Sequence, residues 1–265
     1  MEYENRAPEL RGALLEAQVR LREVGFPVIL LFAGVDGAGK GDTANLLNEW
    51  MDPRWILTRA YAEPSEEERE RPEFWRYWRD LPGNGELGIF LSAWYSRPLL
   101  DRVFGEIAEG ELDERLTRIL SFERTLASSG AVILKCWMHL GREPQKERLE
   151  ALEKDPLKSW RVTKQDWKHW KMYGEFVSAA EHIIARTSAA HAPWTIIEGA
   201  DRRFRSLEVG TKLLDAIEHR LAGSGEAESE AVSVPASDSA GSGSRILVLS
   251  SLDLSKRLPR KEYPR

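Results

Sequence analysis

Cysteine is nearly absent: Cys136 stands alone among 265 residues. A single thiol excludes an internal disulfide and suits a reducing compartment, so the cytoplasm is the expected location. Positive charge is also scarce overall, since 38 Lys and Arg against 43 Asp and Glu leave a formal net charge of −5. That balance argues against general DNA binding, and any site for a polyanion must gather its cations locally. No apolar run reaches the roughly 18 residues that a membrane-spanning helix needs, and Met1-Glu-Tyr-Glu-Asn does not resemble a signal peptide, so no membrane partner is expected. No convincing internal repeat is present.

The chain does contain enough apolar sequence, 42% of its residues, to build one sizeable core and hardly two. The most informative stretch is Phe26-Pro-Val-Ile-Leu-Leu-Phe-Ala-Gly34-Val-Asp-Gly-Ala-Gly-Lys40-Gly-Asp-Thr43. A buried strand runs into a glycine-rich loop, a lysine and an amphipathic helix (Ala44, Leu46, Leu47, Trp50). Gly-rich stretches also make plain tight turns, but these flanks point to a phosphate-binding loop. Its candidate phosphate contacts are Gly34, Gly37, Gly39, Lys40, Gly41, Asp42 and Thr43. Where most such loops follow the lysine with a Ser or Thr that holds magnesium, this chain has Gly41. Asp36, inside the loop, is then the nearest oxygen donor for Mg2+, its alternative role being to brace backbone amides.

Further along, Pro8 to Val24 reads as an amphipathic helix and Val28 to Ala33 as the first buried strand. Strand patterns follow at Ile56 to Ala62, Leu87 to Ala93, Ala131 to Leu140 and Trp194 to Glu198, each separated by helical pattern. This order predicts an α/β fold, a three-layer α/β/α sandwich with a five-stranded parallel sheet, and it resembles the P-loop kinase layout. Ligands in such sheets collect at the carboxyl ends of the strands. From Arg142 to Arg186 the pattern is helical and crowded with charge, with nine Lys or Arg against six Asp or Glu over Gly141 to Lys171. It reads either as a solvated helix face with paired charges or as a lid that covers phosphates. The tract Ala222 to Ser244 has the composition of a disordered linker, and Arg245 to Arg265 follows it with a short apolar run and a basic end.

Four stretches carry a family resemblance: Gly34 to Asp42, Pro64 to Pro82, Phe90-Leu-Ser-Ala-Trp-Tyr-Ser-Arg97 and Lys135-Cys-Trp-Met-His139. Downstream, Asp155-Pro-Leu-Lys-Ser-Trp160-Arg161, Asp166, Thr187 and Ala192-Pro-Trp194 continue in order. Together they resemble the polyphosphate kinase 2 family, which moves phosphoryl groups between inorganic polyphosphate and nucleotides, over Pro27 to about Leu221. The resemblance implies a domain over residues 1–221 with its lid near 142–186. It also implies phosphate held by Lys40, metal held partly by Asp36, and a groove of basic residues for a polyanionic chain. Arg97, Lys135 and Arg161 are candidate phosphate contacts, with Arg97 counted among the catalytic groups beside Asp36 and Lys40. Arg76 and Arg79 are read either as phosphate contacts or as partners of nearby glutamates. His139 is expected to be a hydrogen-bonded residue that closes its strand, and Trp94, Trp137, Trp160 and Trp194 to pack the core and groove walls.

One departure stands out. Family members end the Phe90 strand with Asp-Arg-Ser-Trp-Tyr-Asn-Arg, whereas this chain has Leu91-Ser92-Ala93-Trp94-Tyr95-Ser96-Arg97, so Leu91 and Ser92 replace an acid and an arginine. Phosphoryl transfer depends on positioning and charge, and this loss removes two tools, leaving Asp36 or Glu198 to substitute. The resemblance is greatest to the first half of two-domain members that convert AMP and polyphosphate into ADP. Residues 245–265 then read as the start of a second, truncated kinase domain, with a C-terminal kinase domain as a partner. The leading reading is a polyphosphate-to-AMP phosphotransferase domain with Mg2+. A catalytically silent half that binds polyphosphate or supports assembly, and an ATP-dependent nucleoside monophosphate kinase, are the alternatives. The N-terminal helix and the tryptophans offer surface for a homo-oligomer.

Overall fold

A computed structural model describes residues 2–226, with side chains to residue 223. The linker and second-domain expectations at 227–265 lie outside the described residues. Five strands form one parallel sheet in the order β2-β3-β1-β4-β5. They are β1 (Val28–Gly34), β2 (Ile56–Ala60), β3 (Leu87–Leu91), β4 (Val132–His139) and β5 (Trp194–Glu198). The central strand β1, an unbroken apolar run, is buried on both faces, as a parallel strand flanked by helix layers must be. At the sheet edge, β2 is half-buried to exposed.

The helices are α1 (Glu2–Val24), α2 (Lys40–Trp50), α3 (Glu66–Arg69), α4 (Trp75–Arg79), α5 (Ser96–Val103) and α6 (Glu109–Ser128). They continue as α7 (Arg142–Lys154), α8 (Lys164–Lys171), α9 (Tyr173–Thr187) and α10 (Arg202–Glu226). One layer joins α1, α2 and α10, and the other joins α5, α6 and α9, giving the expected three-layer sandwich. The long helices of the two layers bury one stripe each, as Leu10, Leu14, Ala17 and Leu21 of α1 show at helical spacing.

Helix α1 begins earlier and β2, β3 and β4 are shorter than the sequence reading had them, and two further boundaries differ. The expected lid reached Arg186, but α9 buries Phe176, Ala179, Ala180, Ile183 and Ile184 against the body and belongs to a core layer. The projecting part is therefore α7, a 3-10 turn at Ser159–Arg161 and α8. Helix α10 continues past Leu221 to Glu226, into the tract read as linker.

Parallel register brings the carboxyl ends of the strands together. Phe32 pairs with Leu91, Gly34 with Met138, and His139 with Glu198. The loop between β1 and α2, the turn after β3 and the start of the lid consequently meet at one end of the sheet.

Candidate phosphate site

The glycines of the loop are fixed by geometry. Gly34 has φ of 130°, and a Cβ there would lie 2.0 Å from the Met138 carbonyl oxygen. No side chain fits without parting β1 from β4. Gly34→Ala is expected to cost more than the ~1–3 kcal/mol of ordinary overpacking, which chemical denaturation would measure. Gly37 and Gly39 have φ of 78° and 88°, and Gly39 in its left-handed conformation caps α2. The start of α2 thus presents backbone N–H groups and the positive end of its dipole to the loop.

Lys40 turns back on that loop. Its Nζ donates to the carbonyls of Gly34 at 2.6 Å and Val35 at 2.9 Å. Burial lowers its pKa, and Asp36 and Asp166 oppose the fall. Asp36 meets the lid: His169 Nδ1 lies 2.6 Å from its Oδ2, and Gln145 Nε2 donates to its backbone oxygen at 3.1 Å. Burial would raise the Asp36 pKa, but the His169 hydrogen bond, Lys40 and the His169 charge together hold it below the usual carboxylate value. His169 went unmarked in the sequence because its partner is 133 positions away. Cutting this contact with His169→Ala should release α8 and raise proteolysis within the lid about fivefold, the equivalent of one hydrogen bond near 1 kcal/mol. Limited proteolysis of the two proteins would check it.

Above the loop opens a cavity of about 580 Å³ whose lining includes Gly34, Asp36, Lys40, Ser92, Arg97 and His169. Arg76 and Arg115 also line it. Arg97 sits at the start of α5, half-exposed, and is held by Asp101, Glu63 at 3.1 Å and Glu106 at 3.2 Å. These acids raise its pKa, the Asp101 hydrogen bond most of all, and a ligand phosphate must compete with them. Arg76 pairs with Glu68 and donates to the Ala62 carbonyl, while exposed Arg79 pairs with Asp80 and Glu68. Leu91 is half-buried and packs against the core, so it offers the cavity no charge. Ser92 has φ of 53°, the only positive φ outside glycine among the described residues, and faces the cavity.

Four candidate phosphate contacts occupy other places. Lys135 is fully buried and donates to Glu123 at 2.7 Å, Thr187 O at 2.8 Å and Tyr95 Oη at 3.0 Å. It anchors the Trp94-Tyr95 segment from inside the core rather than facing a ligand. Glu123 also accepts from Trp94 Nε1 at 3.0 Å and Tyr95 Oη at 2.9 Å. Thr43 is buried, with its hydroxyl accepting from Arg205 Nε at 3.0 Å. Asp42 pairs with Arg161 at 3.0 Å and Arg148 at 3.3 Å, and so ties α2 to the lid. Arg161 accordingly lines a second cleft of about 450 Å³ with Arg148, Lys158 and Arg202, away from the loop cavity.

His139 also differs from expectation. Its carbonyl accepts from Gly199 N at 2.7 Å, but its buried Nδ1 has no partner, and burial lowers its pKa, keeping the ring neutral. Trp94, Trp137 and Trp194 pack together with neighbouring rings, whereas Trp160 is 78% exposed on the lid.

Among the described residues no group of three or more His, Cys, Asp or Glu is placed to hold a metal ion. Asp36 is the cavity carboxylate that acts on the loop lysine, while Glu63, Glu68 and Glu73 line the cavity as well. That donor set fits a hard cation such as Mg2+ that takes most of its oxygens from phosphate and water.

Comparison with known proteins agrees with this geometry. A family profile described as Polyphosphate kinase 2 (PPK2) matches residues 1–224. A Pseudomonas aeruginosa protein named Polyphosphate:AMP phosphotransferase is 46% identical over 262 residues, covering 98% of this chain and 52% of the relative. NDP-polyphosphate phosphotransferase 3 of Ruegeria pomeroyi is 31% identical over 218 residues, covering 82% of this chain and 72% of that protein. The crystal structure of Polyphosphate Kinase 2 from Arthrobacter aurescens TC1 superposes with a TM-score of 0.77 at 28% identity, over 80% of this chain and 77% of that one. The chain spans about half the length of the polyphosphate:AMP phosphotransferases it matches. With its glycine-built phosphate loop at the end of a five-stranded parallel sheet, the chain belongs to the polyphosphate kinase 2 family.

Proposed function

We propose that the chain is a polyphosphate-to-AMP phosphotransferase domain that works slowly by itself because its third strand ends in Leu91-Ser92. The observation that carries this reading is the intact loop, with Gly34, Gly37 and Gly39 pre-shaped and Lys40 and Asp36 side by side at the mouth of a cavity. Names of the full-length relatives support the substrates.

A terminal phosphate of polyphosphate would sit on the loop amides at the start of α2. Lys40 would exchange the Gly34 and Val35 carbonyls for phosphate oxygens, which satisfy an ammonium better than neutral carbonyls do. An AMP phosphate oxygen then attacks the terminal phosphorus in line. One P–O bond forms as the bond to the next phosphate of the chain breaks, giving ADP and a polyphosphate shorter by one unit. No general base is needed, because the attacking oxygen carries no proton at neutral pH. Arg97 and Arg76, which line the cavity, would hold the acceptor phosphate at the expense of their acidic partners. The second cleft, where Arg148, Lys158, Arg161 and Arg202 stand among Asp42, Glu49 and Asp155, would take the polyphosphate tail once it displaces those acids. Magnesium, when bound, would offset phosphate charge, with Asp36 as its protein ligand and His169 displaced.

A second reading, a silent half that binds polyphosphate, is favoured by one observation: the strand-end position next to the loop is apolar Leu91. ADP formation from AMP and polyphosphate separates the two, and supplying ATP in place of polyphosphate tests for a nucleoside monophosphate kinase. We further propose Mg2+ as the metal, a C-terminal kinase domain as partner in a longer protein, and cytoplasmic residence. No helix among the described residues is long and apolar enough to cross a membrane.

A further inference from the structure

Arg205, on α10, is the largest fully buried side chain of the described residues. Its guanidinium lies directly beneath the phosphate loop: a Cβ on Gly39 would fall 2.3 Å from Cζ and 2.5 Å from Nη2. Nε donates to Thr43 Oγ1 at 3.0 Å, and Nη1 donates to the Gly199 carbonyl at 2.6 Å. Nη2 is buried with no hydrogen-bond partner. One side chain thereby ties together the loop, the first turn of α2 and the end of β5, while leaving one donor unused.

Burying a cation with an unused donor is costly unless something compensates. Structure alone does not supply the compensation. Burial lowers the Arg205 pKa to about 10, and neighbouring Arg148 and Arg202 push the same way against Asp42 and Asp201. Asp42 is already shared between Arg148 and Arg161. Among these side chains, Arg205, Arg148, Arg161 and Arg202 outnumber Asp42 and Asp201. A polyanion bound on the loop would balance the excess.

We propose that Arg205 is a positioning residue of the phosphate site, a buried counter-charge that acts through the loop from beneath and favours a bound phosphate above Gly39. This rests on the loop being the phosphate site. Screening by water is weak at a buried position, so the charge is felt across the thickness of the loop. The glycine at position 39 has a second reason here, since any side chain would collide with the guanidinium. It also accounts for Thr43, whose hydroxyl in the first turn of α2 serves Arg205 instead of a ligand.

The test is calorimetric titration of the folded chain with inorganic tripolyphosphate, comparing wild type, Arg205→Gln, Arg205→Lys and Lys40→Ala. Arg205→Gln removes the charge and is expected to weaken binding about tenfold or more, from one unit charge acting at low screening. Arg205→Lys restores charge without the fork, and is expected to recover most of the affinity even where thermal stability falls. A purely structural role would instead show both variants losing stability with no such recovery. Should Arg205→Gln not fold, Arg205→Lys decides: affinity retained supports the counter-charge, and affinity lost from a folded protein overturns it. Folded Arg205→Gln that binds as tightly as wild type also overturns it. If Lys40→Ala leaves binding unchanged, tripolyphosphate does not sit on the loop, and the phosphate-site reading fails together with this proposal.

Discussion

Leu91→Asp combined with Ser92→Arg is expected to raise the rate of ADP formation from AMP and polyphosphate by about 10²–10³ or more, the worth of groups aimed at transition-state charge. The two positions lie where β3 ends beside β1, with Phe32 opposite Leu91 in the register, next to the loop that carries Asp36 and Lys40. A carboxylate at 91 would restore the acid that the sequence resemblance implies at this strand end. An arginine at 92 enters a site that already lines the cavity. Ser92 holds φ of 53°, a conformation that costs a non-glycine residue of order 1–3 kcal/mol and that a larger side chain inherits. The double variant should be slightly less stable while faster, because Leu91→Asp takes a half-buried apolar side chain off the core. Initial rates at saturating substrate would check it, and an unchanged rate from a folded double variant would show that these positions do not limit turnover.

The second large effect concerns the core. Lys135→Met is expected to lower stability by about 3–5 kcal/mol, because it leaves Glu123 ionised and fully buried without its cation. Both side chains have no exposed surface, and their 2.7 Å pair is joined by Trp94 and Tyr95. For a domain of this size that corresponds to roughly a 10 °C fall in melting temperature. Replacing both partners, with Glu123→Leu added, should recover much of the loss, since an apolar pair of similar volume needs no compensation. Thermal melts of the single and double variants read the difference. An unaltered melting temperature in Lys135→Met would mean that the ion pair does not hold the Trp94-Tyr95 segment.

Local patterns carried most of the fold. The unbroken run Val28 to Ala33 could pack only as a doubly covered strand, and four more strand patterns alternating with helices left a parallel sheet as the natural arrangement. Gly34, Gly37, Gly39, Lys40 and Asp36 were readable together because phosphate loops are contiguous in sequence. Residues joined across long distances were not. Lys135 was missed for another reason: Glu123 is only twelve positions away, but a strand pattern places Lys135 on one of two faces without saying that it is the one facing α6. Asp42 and Thr43 follow the lysine and so look like ligand contacts, yet their partners Arg148, Arg161 and Arg205 lie more than a hundred positions away. His169 and Arg205 had the same invisibility, one on the lid and one on the last helix. The lid boundary was misplaced because the charge pattern fades gradually, whereas the apolar stripe of α9 determines where the body begins.

The central claim is that Lys40 and its loop hold polyphosphate for transfer to AMP. Its most direct test is ADP production by the purified 265-residue chain from AMP, long-chain polyphosphate and magnesium, measured beside Lys40→Ala. The account predicts slow but measurable ADP formation that falls by about 10²–10³ in Lys40→Ala, the usual effect of removing one group that stabilises transition-state charge. Equal ADP formation by the two proteins, or none from folded wild type, would contradict it.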